Sequence, residues 1–243
     1  MVALKDRRLP EQSRILDFLA NCRRELPPIL AAEPHEGQIR LKVGKGAATI
    51  SLEPAPIAPA QVEAACQRAW HWPEAPEALR GHVAHAAVVL LTEDEDLVNA
   101  TLGLSGLVAA VAACAEAVGV YWAASGLVHP PDAFIAFTQD ANEEYLPLNL
   151  WVDFQIMENE DGSRSLSTTG MGQFRHAEIE VHRSRQEPEL LMERAFKMAH
   201  YLLENGPILE DEETVELSEQ ESTPVRYGPS MWDASLRVLR LEI

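Results

Sequence analysis

Two histidines and two glutamates alternate with apolar residues along His176-Ala177-Glu178-Ile179-Glu180-Val181-His182, and nowhere else in the chain are polar residues spaced for a shared site. Period-two alternation belongs to a half-buried strand, so the spacing predicts a strand with all four ionisable groups on one face. Imidazole and carboxylate both suit a borderline or hard cation, which makes His176, Glu178, Glu180 and His182 the candidate metal set. Two close carboxylates can also divide into an acid and a base, which makes Glu178, Glu180 and His176 the candidate catalytic groups. The same row can grip a cationic partner or simply meet water, with Arg175 and Arg183 as surface ion-pair partners. A metal site needs further ligands from a second element, and neither His82 and His85 nor His129 is placed beside this strand by the sequence. On a strand, His82 and His85 point to opposite faces. No metal and no other cofactor is therefore expected.

No nucleophile motif stands beside this row. Gly103-Leu104-Ser105-Gly106 lacks the Gly-x-Ser-x-Gly elbow and falls within a helical pattern. Cys22, Cys66 and Cys114 form no Cys-x-x-Cys pair, and apolar helical faces make them expected core residues, reduced in a cytosolic protein. Among the aromatic residues, Tyr121-Trp122, Trp151, Trp70, Trp72 and Trp232 are of a type that lines ligand clefts or fills a core, and Trp72, beside Pro73, is the one expected to be partly exposed.

The elements that position these residues follow from periodicity. Residues 11–26 read as an amphipathic helix ended by Pro27-Pro28. Gln38–Val43 and Ala47–Leu52 read as a hairpin turning through Gly44-Lys45-Gly46. A helix opens at Pro59, and His71-Trp72-Pro73-Glu74-Ala75-Pro76 breaks it as the best linker candidate. Val83–Leu91 reads as a central strand buried on both faces. A capping box at Thr92-Glu93-Asp94-Glu95 leads into a long alanine-rich helix closed by Gly119. Strands at 120–123, 148–157 and 164–168, a short helix after Pro130-Pro131, a long helix over 187–204 stopped by Asn205-Gly206-Pro207, and terminal strands at 214–217 and 236–243 complete the order. The expected fold is α+β, with a mixed, mainly antiparallel sheet and helices packed mostly on one face. Residues 1–75 are expected as a helix, hairpin and helix packed on a main domain of residues 76–243 that carries the His/Glu row.

Charge restricts the partners. The 243 residues carry 38 acidic and 20 basic side chains, a formal charge of -18, with no Lys or Arg between Arg80 and Arg164 or between Lys197 and Arg226. Phosphate backbones and anionic headgroups require clustered basic residues, so neither nucleic acid nor a membrane is an expected partner. The acidic stretch Glu210-Asp211-Glu212-Glu213, with Glu216, Glu219 and Glu221 beyond it, suits a basic protein partner, or else a solvated loop and strand edge. Leu97–Val118 is long enough to span a bilayer, but Asn99, Thr101, Ser105 and Glu116 favour a buried helix. A polar start without an apolar signal region leads to the expectation of a cytoplasmic protein.

Gly170, Met171, Phe174, Glu178 and Glu180 resemble the hallmark Thr-x-Gly-Met-x-x-Phe-Gly-x-x-Glu-x-Glu of a bacterial family known only as domain-of-unknown-function family 4261. Val120-Tyr121-Trp122, Gly126-Leu127-Val128-His129, Phe134 and Leu146-Pro147-Leu148-Asn149-Leu150-Trp151-Val152 are similar to further pieces of it, over about residues 80–220. Arg175 stands where the family usually has Gly, and Glu212-Glu213-Thr214 replaces a Gly-Asp-Thr style turn. The resemblance implies a shared fold and directs attention to Glu178 and Glu180, without implying an activity. The candidate ligand- or partner-binding residues are Glu178, Glu180, His182, Arg175, Trp122 and His129. The function expected from these observations is a non-enzymatic protein-binding module with an acidic surface, in the bacterial cytosol. The alternative is a small hydrolase or metal-dependent enzyme using residues 176–182.

Overall fold

The structure, a computed structural model, describes residues 1–22, 29–31, 37–141, 145–206, 209–218 and 221–243. The expected helix stop at Pro27-Pro28 lies outside the described residues, as do Pro207 and Glu219. The chain divides into two compact units, Met1–Leu150 and Trp151–Ile243. The described residues form an α+β fold in which the sheets are mainly antiparallel.

Unit 1 runs β1 (Val2–Leu4), α1 (Gln12–Ala20), β2 (Ile29–Ala31), β3 (Gln38–Val43), β4 (Gly46–Glu53), α2 (Pro59–Arg68), α3 (Ala75–Leu79), β5 (Ala84–Leu91), α4 (Leu97–Cys114), β6 (Ala117–Trp122), β7 (Leu127–His129) and α5 (Pro131–Asp140). Its sheet has the order β2-β3-β4-β5-β1-β6-β7. The three residues of β1 thus lie at the middle, antiparallel to β5 on one side and β6 on the other. Val2, Ala3 and Leu4 are fully buried. Successive strand residues face opposite ways. Ala3 joins Ile57, Ala65, Trp72, Ala75, Leu79, Tyr121 and Val128 in the core beneath α2 and α3. Val2 and Leu4 consequently face the opposite layer, where α4 packs on β1, β5 and β6 and is flanked by α1 and α5.

Several expectations are corrected here. Residues 71–76, expected as a linker, pack into the core through buried Trp72 and Ala75, and the exposed ring is Trp70 at 75%, against 8% for Trp72. Across position 75, β1 and β4 pair with β5 in one sheet. The N-cap of α4 is Asp96, whose carboxylate accepts the Asn99 N–H at 2.9 Å, rather than Thr92. That helix ends at Cys114, and Gly119 sits within β6, where an added Cβ would strike Leu79. Leu97–Cys114 is long and apolar enough to cross a membrane by length and composition, and 61% of it is buried within the fold.

The expected hairpin forms, with its second strand starting at Gly46 opposite Val43 and with Gly44 at φ 54°, the left-handed turn conformation that glycine enters freely. Strand β5 does not match. It is central, but its outer half is open on one face, where Val89 is 50% and Leu91 72% exposed. The register puts Leu91 beside Ala47, Lys42 and Leu30, and Val89 beside Thr49 and Arg40, so among the described residues this end of the sheet carries helices on one face only.

Unit 2 contains β8 (Asp153–Glu158), β9 (Arg164–Thr169), β10 (Ile179–Ser184), α7 (Pro188–Asn205), β11 (Thr214–Ser218), β12 (Glu221–Pro229) and β13 (Arg237–Leu241); the short helix α6 (Leu148–Trp151) precedes β8 in sequence. Residues 148–151, expected as strand, are therefore helical. The sheet order is β11-β12-β13-β10-β9-β8, and β10 runs parallel to β13 while the other neighbours are antiparallel. Helix α7 buries Leu191, Ala195, Met198, Ala199, Leu202 and Leu203, spaced three and four apart, against one face. Phe196 meets Phe154 at 5.7 Å, which identifies that face, and the register carries it from Phe154 through Thr168 and Leu166 to Val181. Glu180 and His182 lie on the other face.

The open face of β5 generates a direct expectation. Leu91→Lys and Val89→Thr change unfolding free energy by no more than about 0.5 kcal/mol, as exposed substitutions do. Ile50→Ala, in the same sheet but fully buried, costs about 2–5 kcal/mol. Urea unfolding of the three variants is the check, and a large loss at Leu91 would contradict the open face.

Candidate functional site

The polypeptide between β9 and β10 is built around one carboxylate. After Thr169 the backbone turns at Gly170, whose φ of 122° excludes side-chain-bearing residues, into a 3-10 turn over Met171–Phe174. Met171 and Phe174 are buried, and the Phe174 ring packs on Trp151 at 5.5 Å. The Gln173 side-chain amide donates to the carbonyls of Trp151 and Gly170 at 3.0 and 2.7 Å. The first N–H groups of such a turn have no partner within it. Glu178 reaches back to supply one. Its Oε1 accepts the N–H groups of Gly170 and Gly172 at 2.9 and 3.2 Å, and its Oε2 accepts the Thr168 hydroxyl at 2.7 Å and the Met171 N–H at 3.2 Å. Thr168 Oγ1 in turn accepts the Ile179 N–H at 2.8 Å, tying the turn to the first residue of β10. A carboxylate has about four acceptor positions, and all are taken.

The predicted strand of residues 176–182 therefore begins only at Ile179. The four ionisable groups do not share one face. Glu178 points into the turn. Glu180 is 3% exposed, and its Oε2 meets His182 Nε2 at 2.6 Å and the Met231 N–H at 3.1 Å. The His182 ring stands edge-on to Trp232 at 6.4 Å. Among the described residues, no group of three or more His, Cys, Asp or Glu side chains is placed to hold a metal ion.

Arg175 and His176 turn outward instead. Arg175 is left-handed at φ 63°, a conformation ordinarily left to glycine, and its N–H donates to the Gly172 carbonyl at 3.0 Å. Both line a cleft of about 480 Å³ with Ala177, Leu209, Glu210, Asp211, Tyr227 and Arg237. The Arg237 guanidinium lies 4.7 Å above the centre of the Tyr227 ring. Burial holds the His176 imidazole below its ordinary value and so keeps it neutral at pH 7. Burial also raises the Tyr227 phenol, against the pull of Arg237, and keeps it protonated. Asp211 Oδ1 accepts the Tyr227 N–H at 2.8 Å. Sequence reasoning missed Tyr227 and Arg237, because β12 was not recognised and only tertiary pairing brings 227 and 237 opposite 175. An arginine at 175, where the resemblance leads to the expectation of glycine, was the one available signal.

The candidates in unit 1 occupy its interior. Trp122 is buried against Phe134 at 6.0 Å, and His129 lies between Phe134 at 5.8 Å and His71 at 5.3 Å. Burial, reinforced by His71 and opposed by a hydrogen bond to the Leu150 backbone, pushes the His129 pKa down to about 3. His82 is a satisfied core histidine, accepting the Ile57 N–H at Nε2 and meeting the Leu79 carbonyl at Nδ1. Cys22, Cys66 and Cys114 form no disulfide among the described residues and are partly rather than fully buried, and burial raises the thiols of Cys66 and Cys114 away from the reactive thiolate.

The acidic stretch is organised locally. Glu213 caps the Glu210 N–H at 2.9 Å, Glu212 pairs with Arg226 at 3.2 Å, and β11 with Glu216 is an edge strand. Residues 210–213 are exposed.

This geometry, a glutamate-capped turn between two strands of a mainly antiparallel sheet, falls within a stretch of known kinship. The model of the family described as Domain of unknown function (DUF4261) matches residues 167–242, which run from β9 to the end of β13. The resemblance carried by Gly170, Met171, Phe174, Glu178 and Glu180 is thus a family match there, starting later and reaching further than the 80–220 read from the sequence. No curated protein and no solved structure matches the chain.

Glu178→Gln puts an amide donor among four donors, and its expected cost is about 1–3 kcal/mol in thermal or urea unfolding. Arg175→Gly relieves the left-handed backbone, so stability stays level or rises by up to about 1 kcal/mol. His129 sets a pH dependence. Its folded pKa of about 3 lies below the ordinary 6.5, so protons favour the unfolded chain. Its contribution is complete above pH 6.5 and is lost as pH falls towards 3. Moving from pH 7.5 to 5.0 removes about 2 kcal/mol through this ring. Urea titrations at both pH values detect that loss in the parent protein, and a His129→Leu variant is expected to show correspondingly less.

Proposed function

We propose that this protein is a non-enzymatic binding module whose partner is a basic protein, acting in the bacterial cytosol and engaging neither nucleic acid nor membrane. The single observation behind this reading is the saturation of Glu178. The enzymatic alternative is built on the carboxylates of the 176–182 row, and the Glu178 carboxylate is spent on three backbone amides and a hydroxyl. Glu180 is likewise engaged by His182 and the Met231 N–H.

The partner class follows from charge. A formal charge of -18 favours encounter with cationic surfaces and raises association rates in a salt-dependent way. Exposed Glu210, Asp211, Glu212 and Glu213, with Glu216 on the adjacent edge strand, concentrate that charge in unit 2. Their backbone and ion-pair contacts order the loop before any partner arrives, which lowers the entropy cost of binding.

Untagged protein captured from native lysate is expected to carry a stoichiometric basic partner at low salt and to release it at high salt, read by mass spectrometry. Glu210→Lys combined with Glu216→Lys is expected to weaken that capture at least about tenfold. A partner indifferent to both salt and charge reversal would contradict acidic docking.

A further inference from the structure

The cleft beside the capped turn has an unusual electrostatic balance for so acidic a chain. Acidic side chains outnumber basic ones 38 to 20, yet neither Arg175 nor Arg237 has an ion pair or a side-chain hydrogen bond among the described residues, although Glu210 and Asp211 line the same cleft. Asp211 Oδ1 is occupied by the Tyr227 N–H, and the Arg237 guanidinium lies over the Tyr227 ring, which leaves its N–H groups without a hydrogen-bond acceptor among the described residues. Arg175 is carried into the cleft by a left-handed backbone that a glycine would adopt more cheaply. The His176 ring and the Tyr227 hydroxyl likewise have no protein partner among the described residues.

Resting on the binding-module reading above, we propose that this cleft captures the C-terminal carboxylate of a protein chain that ends in lysine or arginine. Guanidinium edges match a carboxylate geometrically, and two of them, with a neutral imidazole and a phenol hydroxyl, can satisfy both of its oxygens. Glu210, which also lines the cleft, receives the terminal basic side chain. Acids beside the arginines select against a phosphate dianion, which they would repel, and for a ligand bearing both signs of charge. A volume of about 480 Å³ lies within the range of small-ligand sites and accommodates a terminal residue with its side chain.

Fluorescence anisotropy with a set of labelled tetrapeptides ending in lysine or arginine, each as free acid and as C-terminal amide, tests this. The free acids are expected to bind at least about tenfold more tightly than their amides. Arg175→Gly with Arg237→Gln is expected to erase that difference, with a single cooperative thermal transition near or above the parent's melting temperature showing that the variant is folded. Equal binding of acid and amide, both salt-sensitive, would overturn carboxylate capture while leaving acidic docking intact. If none of the peptides binds at about 1 mM, the weakest affinity worth assigning to a site, the proposal is overturned. Free L-lysine competing as well as the best peptide would overturn the chain-end assignment in favour of an amino acid ligand.

Discussion

The arrangement of unit 2 depends on the Glu178 carboxylate bound inside the turn that precedes it. A sharp turn between two strands leaves several N–H groups aimed at one point, and a buried donor without an acceptor costs about as much as a lost hydrogen bond. One carboxylate answers Gly170, Met171 and Gly172 together and also orients Thr168, whose oxygen then receives the Ile179 N–H. The entry of β10 into the sheet, between β9 and β13, is set by that network. So is the division of its polar neighbours. Arg175 and His176 are left outside the turn to line a cleft, whereas Glu180 is carried inward to His182 and the Met231 N–H.

The family match spans this network, whose residues have steric and hydrogen-bonding tasks within the turn. Gly170 takes a backbone conformation closed to other residues, Met171 and Phe174 anchor the turn in the core, and Glu178 caps it. Each residue answers a local steric or hydrogen-bonding demand. Arg175 closes the turn: its left-handed backbone lets its N–H reach the Gly172 carbonyl, while its side chain is left to line the cleft.

Unit 1 is organised by a different constraint, the placement of a three-residue strand at the centre of a seven-stranded sheet. Val2, Ala3 and Leu4 pair on both sides and are covered on both faces, by α4 on one and by α2 with α3 on the other. Towards β2 the second helical layer ends, and Val89 and Leu91 are exposed beside Arg40 and Lys42.

Much of the element order was legible because periodicity and turn chemistry are local. The β3–β4 hairpin, the amphipathic α7 and the α+β class follow from alternation, from i, i+3, i+4 spacing and from glycine, and neighbours a few residues away are enough to produce them. Strand β1 was not legible, since three residues carry no period, and neither was β12, where polar and apolar residues do not alternate cleanly. The alternation of His176 to His182 was read as one strand face, but its first half belongs to a turn. The choice between strand and turn rests on whether Glu178 finds donors, and those donors exist only once β9 and β10 pair. The sequence by itself determined the charge, the fold class and the list of ionisable groups near the signature. The tertiary structure alone decided which of them are spent on the backbone and which face a cleft with Tyr227 and Arg237, because hydrogen bonding and burial depend on residues about fifty positions apart coming together through the pairing of β10 with β13 and β13 with β12.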